Sequence, residues 1–164
     1  MTNNREMAQE LKGLKQKLQI LEDKEAIRDH LARYSFNADL NRTDAYLDLW
    51  TEDGSFEVGG EVGLGRIWKG RDEIKQLLNG PVHQSFTTRS QHLLVDYIIN
   101  VDGDTATAAG YGVVTVHWPG GFGIRRCSLR TFHFRRCEGR WFIQNAVSLA
   151  TGDPECHSLI SPDV

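Results

Sequence analysis

Three tight-turn signals divide the second half of the chain and leave it little choice of fold. Asp102-Gly103, Pro119-Gly120-Gly121 and Glu138-Gly139 each separate long runs that read as strands. The predicted strands are 90–100, 105–118, 124–136 and 140–149. Strands joined by such short turns pair antiparallel, because a parallel pair needs a crossover of a dozen residues or more. The residues ahead of them read mostly as helices. Helices first and hairpins afterwards define an α+β fold, and 164 residues suit one domain with a sizeable core. Gly110 and Gly112 inside one long strand predict strong bending or a bulge. A curved sheet wrapped on helices leaves a pocket between the layers, apolar with a few convergent polar groups.

In the first half, Ile27, Leu31 and Tyr34 form one apolar stripe on a helix over 21–39. Asp39 closes it, a carboxylate at the end of a mostly apolar face. Asn41, Arg42 and Thr43 form a break, with Thr43 as N-cap of a second helix over 44–50. Asp53-Gly54 reads as a turn, 55–58 and 66–69 as short strands, and 70–78 as a helix stopped by Asn79-Gly80-Pro81. Residues 82–90 read as polar and irregular, and the tail from Thr151, with Pro154 and Pro162, as loop. Residues 1–6 are polar and expected to fray. Met7, Leu11, Leu14, Leu18 and Leu21 alternate spacings of four and three. Such a seam either lies on its own domain or meets a second subunit, with Gly13 interrupting it. A homo-oligomer, dimer or trimer, is the expectation. The organisation is then a helical extension over 1–20, a main domain over 21–150 and a tail over 151–164.

Composition narrows the partners. A net charge of −3 favours neither nucleic acid nor an anionic membrane. No apolar run reaches transmembrane length and no signal-peptide pattern opens the sequence, so a cytoplasmic protein is expected. Cys127, Cys137 and Cys156 fit no zinc module and read as free thiols, although Cys127 and Cys137 could pair across a hairpin. The segment 59–65 is Gly-rich but lacks a Walker lysine, so its glycines serve loop geometry. The histidines show no His-x-x-x-His spacing and no Cys-x-x-Cys occurs, so no metal or organic cofactor is expected, and the partner is a small-molecule substrate.

The order helix, Tyr34-x-x-x-x-Asp39, helix, Leu49-Trp50, Asp53-Gly54, strand resembles the opening of the SnoaL-like family. Trp68-Lys69-Gly70-Arg71-Asp72-Glu73-Ile74, His92, Val101-Asp102-Gly103-Asp104-Thr105-Ala106 and Gly139-Arg140-Trp141 resemble its next landmarks in order. The resemblance spans about 22–149. It implies the nuclear-transport-factor-2-like fold, a cone of helices closed by a curved sheet. It also implies a catalytic pair. In dehydratases and dehydrochlorinases of the family, an Asp after this helix orients a His on the facing sheet, and the His removes a substrate proton. Asp39 and His92 fall on those positions. A carboxylate bonded to one ring nitrogen sets the tautomer and leaves the other nitrogen free as general base. The alternative is that Asp39 caps a helix end and His92 sits in a polar layer. Tyr34 either hydrogen-bonds a substrate oxygen, as in the family's dehydratases, or is a core aromatic. Val114 stands where some of those dehydratases carry a further acid.

Glu57, Arg66, Arg125 and Asn145 are polar residues amid strands and second-rank candidates for substrate binding. Trp50, Trp68, Phe86, Trp118 and Phe142 are core by default, but one or two could line a pocket for an aromatic or alicyclic molecule, with Trp68, Trp118 and Phe142 the candidates. Alternation places His117 and His133 on outward faces. The resemblance thus implies a cofactor-independent lyase, dehydratase or isomerase acting on a small, largely apolar, hydroxylated or aromatic compound. It equally admits a scaffold such as the small subunit of a ring-hydroxylating dioxygenase, or a binding module.

Overall fold

The computed structural model describes residues 2–59 and 65–159; most of the Gly-rich segment and the end of the tail with Pro162 lie outside them. Helix α1 (Thr2–Asp39) runs unbroken through Gly13 and through the residues expected to fray. A Cβ at Gly13 would meet nothing, so glycine there costs helix propensity without marking a break. The helix stops at Asn41, whose φ of 55° lies in the left-handed region. Asn41 N–H donates to the Ala38 carbonyl and Arg42 N–H to that of Asn37, the paired bonds of a Schellman end.

Helix α2 (Thr43–Leu47) is shorter than the predicted 44–50, and Thr43 is its first residue, not its cap. Arg42 occupies the cap position without a side-chain bond, and the Thr43 hydroxyl is 3.3 Å from Asn79 Oδ1. Trp50 instead opens strand β1 (Trp50–Val58), which contains Asp53-Gly54 as an irregularity of register between Trp50 and Ser55, not as a turn. The pairing on either side, at Trp50 and from Ser55 onward, takes up the local turn signal as a bulge. Strand β2 (Arg66–Lys69), α3 (Gly70–Asn79) and a one-turn helix α4 (Pro81–Gln84) follow. The last lies in the stretch read as irregular; Pro81 at its start presets the first turn.

The hairpins appear where the turns predict them: β3 (Ser90–Asp102), β4 (Thr105–Trp118), β5 (Gly121–Cys137) and β6 (Arg140–Ala150). The six strands form one sheet in the order β2-β1-β6-β5-β4-β3, antiparallel except for β1 with β6. Register shifts at Val95/Ile98, Val114/Thr115 and His133/Phe134 curl it. The expected bulge lies beside Gly110: residues 96 and 97 of β3 oppose it, while both glycines stay in register with β5 and give room to a side chain lying over them, Tyr97 at Gly110 and Arg130 at Gly112. A 3₁₀ turn (Cys156–Leu159) in the tail tucks Cys156 against Leu129 and Leu149. All three cysteines are free thiols; Cys127 and Cys137 lie on the same strand, so no hairpin pairs them.

The concave face carries the core. Ile27, Leu31, Tyr34 and Ala38 of α1 meet Ala106, Ala108, Phe132, Phe134 and Ile143 of the sheet, with Tyr46 and Trp50 filling the corner. One charge is built into this core. Asp23 is 5% exposed and accepts from Arg136 Nη2 at 2.6 Å, Trp141 Nε1 at 3.2 Å and Gln19 Nε2 at 3.3 Å. Burial opposes its ionisation, but the bonds from Arg136 and Trp141 prevail and hold its carboxyl below the ordinary range. By contrast the seam Met7, Leu11, Leu14, Leu18, Leu21 lies exposed on α1, each residue more than half accessible.

Candidate active site

The end of α1 is tied to the start of β3 through Asp39. Its backbone carbonyl accepts from Thr88 N–H at 3.0 Å. Its carboxylate accepts from the His92 backbone N–H at 2.9 and 3.1 Å and lies 3.3 Å from the Ser90 hydroxyl, which donates to it. The same carboxylate meets His92 Nδ1 at 2.6 Å. Both side chains are nearly buried, 14% and 11% exposed. A carboxylate only accepts, so Nδ1 carries the proton and Nε2 of a neutral ring has a free lone pair. The bonds to the backbone and to Ser90 hold Asp39 in place, so its hold on the ring does not depend on the ring alone.

His92 lines an interior cavity of about 320 Å³ between the helices and the sheet. Tyr34, Ala38 and Tyr46 form its helical wall, and Phe56, Val58, Val114 and Ser148 its sheet wall. Val82, His83 and Phe86 border it on the loop side, and Arg125, Arg126 and Arg130 supply its cations. Tyr34 is 2% exposed and packs on Tyr46 with ring centroids 4.9 Å apart. Burial, and then the neighbouring Tyr34, push the Tyr46 phenol well above its ordinary range, so it stays protonated as a donor.

His83 lies beside His92, the rings stacked with centroids 6.0 Å apart. Among the described residues neither of its nitrogens has a hydrogen-bond partner. Burial lowers its pKa to about 4, the adjacent His92 adds to this, and the Leu78 carbonyl only partly opposes it. His83 is therefore neutral near pH 7 and puts no second positive charge beside the His92 ring when that ring takes a proton.

Of the residues singled out from sequence, the structure brings Asp39, His92, Tyr34, Val114 and Arg125 to this place. Arg125 sits at the β4–β5 bulge with its guanidinium 4.8 Å from the Phe86 ring centroid. The other candidates do not line the cavity. Phe56 and Val58 point inward, so alternation turns Glu57 away. Arg66 covers the ring of Trp68, itself buried under β2 and β1, and Arg140 covers Phe142. Asn145 donates to the Ser55 hydroxyl at 2.9 Å on the outer side of the β1–β6 pair. Trp118 is 43% exposed at the end of β4. His117 and His133 face outward as alternation predicts.

Sequence reasoning missed His83, Tyr46, Arg126 and Arg130. His83 carried no signal, because the short helix holding it was not recognised. The arginines did carry one. Phe132 and Phe134 point inward, and counting back by twos along β5 reaches Arg130, Ser128 and Arg126 on the same face. Among the described residues no group of three His, Cys, Asp or Glu could hold a metal ion, and no helix is long and apolar enough to cross a membrane.

Comparison with known proteins agrees with the fold. No curated protein matches the chain in sequence. Among solved structures, a nuclear-transport-factor-2-like protein with a cystatin-like fold from Novosphingobium aromaticivorans is 33% identical. The match covers 90% of this chain and 95% of that one, with a TM-score of 0.82. A protein of unknown function from Mycobacterium tuberculosis is 24% identical over 92% of this chain and 81% of its own, with a TM-score of 0.71. A candidate scytalone dehydratase, also from Novosphingobium aromaticivorans, is 19% identical over 80% and 85%, with a TM-score of 0.68, a likeness of fold. The SnoaL-like domain matches over residues 19–147, a span holding α1 from its middle onward, the whole sheet to β6, and both members of the Asp39–His92 pair. The chain belongs to the SnoaL-like domain family, with the nuclear-transport-factor-2-like fold.

Proposed function

We propose that this protein is a cofactor-independent lyase of the dehydratase type, with His92 as general base on a small, largely apolar, hydroxylated or aromatic substrate. The observation that carries this reading is the 2.6 Å contact between His92 Nδ1 and Asp39, on a ring that borders an interior cavity. His92 Nε2 takes a proton from a substrate carbon. The electron pair left behind forms the new double bond, and hydroxide departs from the adjacent carbon. The proton on Nε2 passes to the departing hydroxide, which leaves as water and restores the neutral ring. Asp39 holds the ring and stabilises its charged form while it carries that proton. Tyr34 donates a hydrogen bond to a substrate oxygen. The apolar walls keep bulk water from the base. The fold shared with a candidate scytalone dehydratase supports the reaction class by analogy.

The test is turnover of aromatic and alicyclic β-hydroxy compounds, followed by the rise of ultraviolet absorbance as a conjugated double bond forms. Activity that survives in His92→Ala within tenfold of the parent would exclude the base. The exposed seam on α1 supports a homo-oligomer as part of this proposal; a monomeric mass by light scattering at micromolar concentration would overturn it.

A further inference from the structure

The reaction above uses none of the three arginines that line the cavity; Arg125 lies over the Phe86 ring, and the other two, Arg126 and Arg130, face inward from β5. Arg130 is 5% exposed, on the same face of β5 as Phe132. Its only hydrogen bond among the described residues is from Nε to the Ser128 hydroxyl at 3.3 Å, and its Nη1 is buried without a partner. Arg126, two positions beyond Ser128 on the same face, donates from Nη2 to the carbonyls of Gly59 and Ser148 at 2.7 and 3.1 Å. Its Nε and Nη1 are buried and have no partner among the described residues. Neither arginine forms an ion pair with a carboxylate of the described residues; the charge of Asp153 reaches Arg126 without bonding to it. Burial, and then the nearby Arg130, lower the Arg126 pKa. Two guanidinium groups held together in an apolar wall repel each other and lose hydration, a costly arrangement unless an anion completes it.

The wall is built to hold Arg130 there. A Cβ at Gly112 would collide with Arg130 Nε, would lie 2.7 Å from its Cδ and 2.9 Å from Ser128 Oγ. Only glycine at 112 leaves the channel across β4 in which the arginine lies. The planar fork of a guanidinium matches the two oxygens of a carboxylate.

We propose that the substrate carries a carboxylate, and that Arg130, with Arg126, binds it on the same sheet face as His92, from which Arg126 is separated by Val114 of β4. This rests on the cavity being the reaction site. The apolar space between the two cations and the base then takes the aromatic or alicyclic body of a small organic acid, and anchoring the acid sets which carbon meets Nε2.

Benzoate, its neutral isostere benzamide, and phenyl phosphate serve as probes, titrated into the intact protein by calorimetry. Benzoate should bind at least tenfold tighter than benzamide. Arg130→Gln should bring benzoate to the level of benzamide and leave benzamide itself unchanged, with Arg126→Gln giving a smaller loss. Equal affinity for benzoate and benzamide in the parent protein, or no benzoate binding at millimolar concentration, overturns the proposal whether or not the variants fold. Tighter binding of phenyl phosphate than benzoate overturns the carboxylate assignment in favour of a phosphate. His92→Ala should retain the benzoate preference. A failed base therefore leaves the anion site standing, and a failed anion site leaves the base standing.

Discussion

Strand β5 carries two inward arginines near its middle and one near its end, and they sit in opposite circumstances. At the end, Arg136 meets Asp23 at 2.6 Å and lies over the Trp141 ring at 4.4 Å, a charge matched by its own chain. In the middle, Arg126 and Arg130 have no carboxylate bonded to them among the described residues, and they line a cavity. The first arrangement stabilises the fold because each partner compensates the other's lost hydration. The second costs stability in the free protein and gains only when something else brings the opposite charge. Within one strand, the presence or absence of an internal counter-charge separates a group that serves folding from one available to a ligand.

The strongest way to break the comparison acts on the ring two strands away from Arg126 on the same sheet face. His92→Ala should reduce turnover by about 10²–10⁴-fold, the usual worth of a general base, with thermal unfolding shifted by only a few degrees. Asp39→Asn should cost less activity, because the ring survives, although His92 and Ser90 lose a charged acceptor; steady-state kinetics on the same substrate ranks the two.

Asp23→Ala should do the reverse, sparing the cavity and weakening the fold. It leaves the Trp141 N–H without its acceptor and Arg136 with only the exposed Asp104 carboxylate and the Gly103 carbonyl, so a loss of about 2–4 kcal/mol is expected in urea unfolding. A loss below about 1 kcal/mol would mean that the pair is no more than a surface ion pair. The same carboxyl has a folded pKa below its ordinary 3.8. Its stabilisation is complete above that value and disappears as pH falls through the lower folded one.

Acid should also act earlier, through the histidines. His83 and His30 both have folded pKa values of about 4 against an ordinary 6.5, burial being the first cause in each case. The unfolded chain binds more protons than the folded one between pH 6.5 and 4, so stability falls as pH drops through that window. For His83, a displacement from 6.5 to about 4 corresponds to about 3 kcal/mol at full extent. Unfolding measured between pH 7 and 4 should show this slope, and His83→Phe should reduce it to the part that His30 contributes.

The smallest effect sharpens the contrast between the arginines. Arg130→Met removes an unpaired buried cation and fills similar space, so stability should stay level or rise by about 1 kcal/mol. Arg136→Met should destabilise, because it strands Asp23. Equal losses from the two substitutions would show that Arg130 has a partner as good as Asp23.

Much of this was legible from sequence. The turns at Asp102-Gly103, Pro119-Gly120-Gly121 and Glu138-Gly139 dictate antiparallel hairpins, because glycine supplies the backbone conformations that short connections need. The apolar stripe Ile27, Leu31, Tyr34 dictates which side of α1 meets the sheet, because helix periodicity is local. Asp39 and His92 could be singled out as residues, and Arg126 and Arg130 could have been, from alternation along β5. Other features needed the folded chain. Residues 53 and 54 have turn chemistry, and in the fold they lie in a bulge within β1, between the residues on either side that pair with β6. Trp68 and Phe142 look like pocket walls, but each is covered by an arginine away from the cavity. His83 gains its place beside His92 only because α4 folds back over the end of α1, bringing together two residues nine apart on different elements. Pattern along a chain reports what each residue prefers for itself. Which carboxylate reaches which imidazole, and which arginine is left without a counter-charge, depends on distances between elements remote in sequence, and the packing of helix on curved sheet decides them.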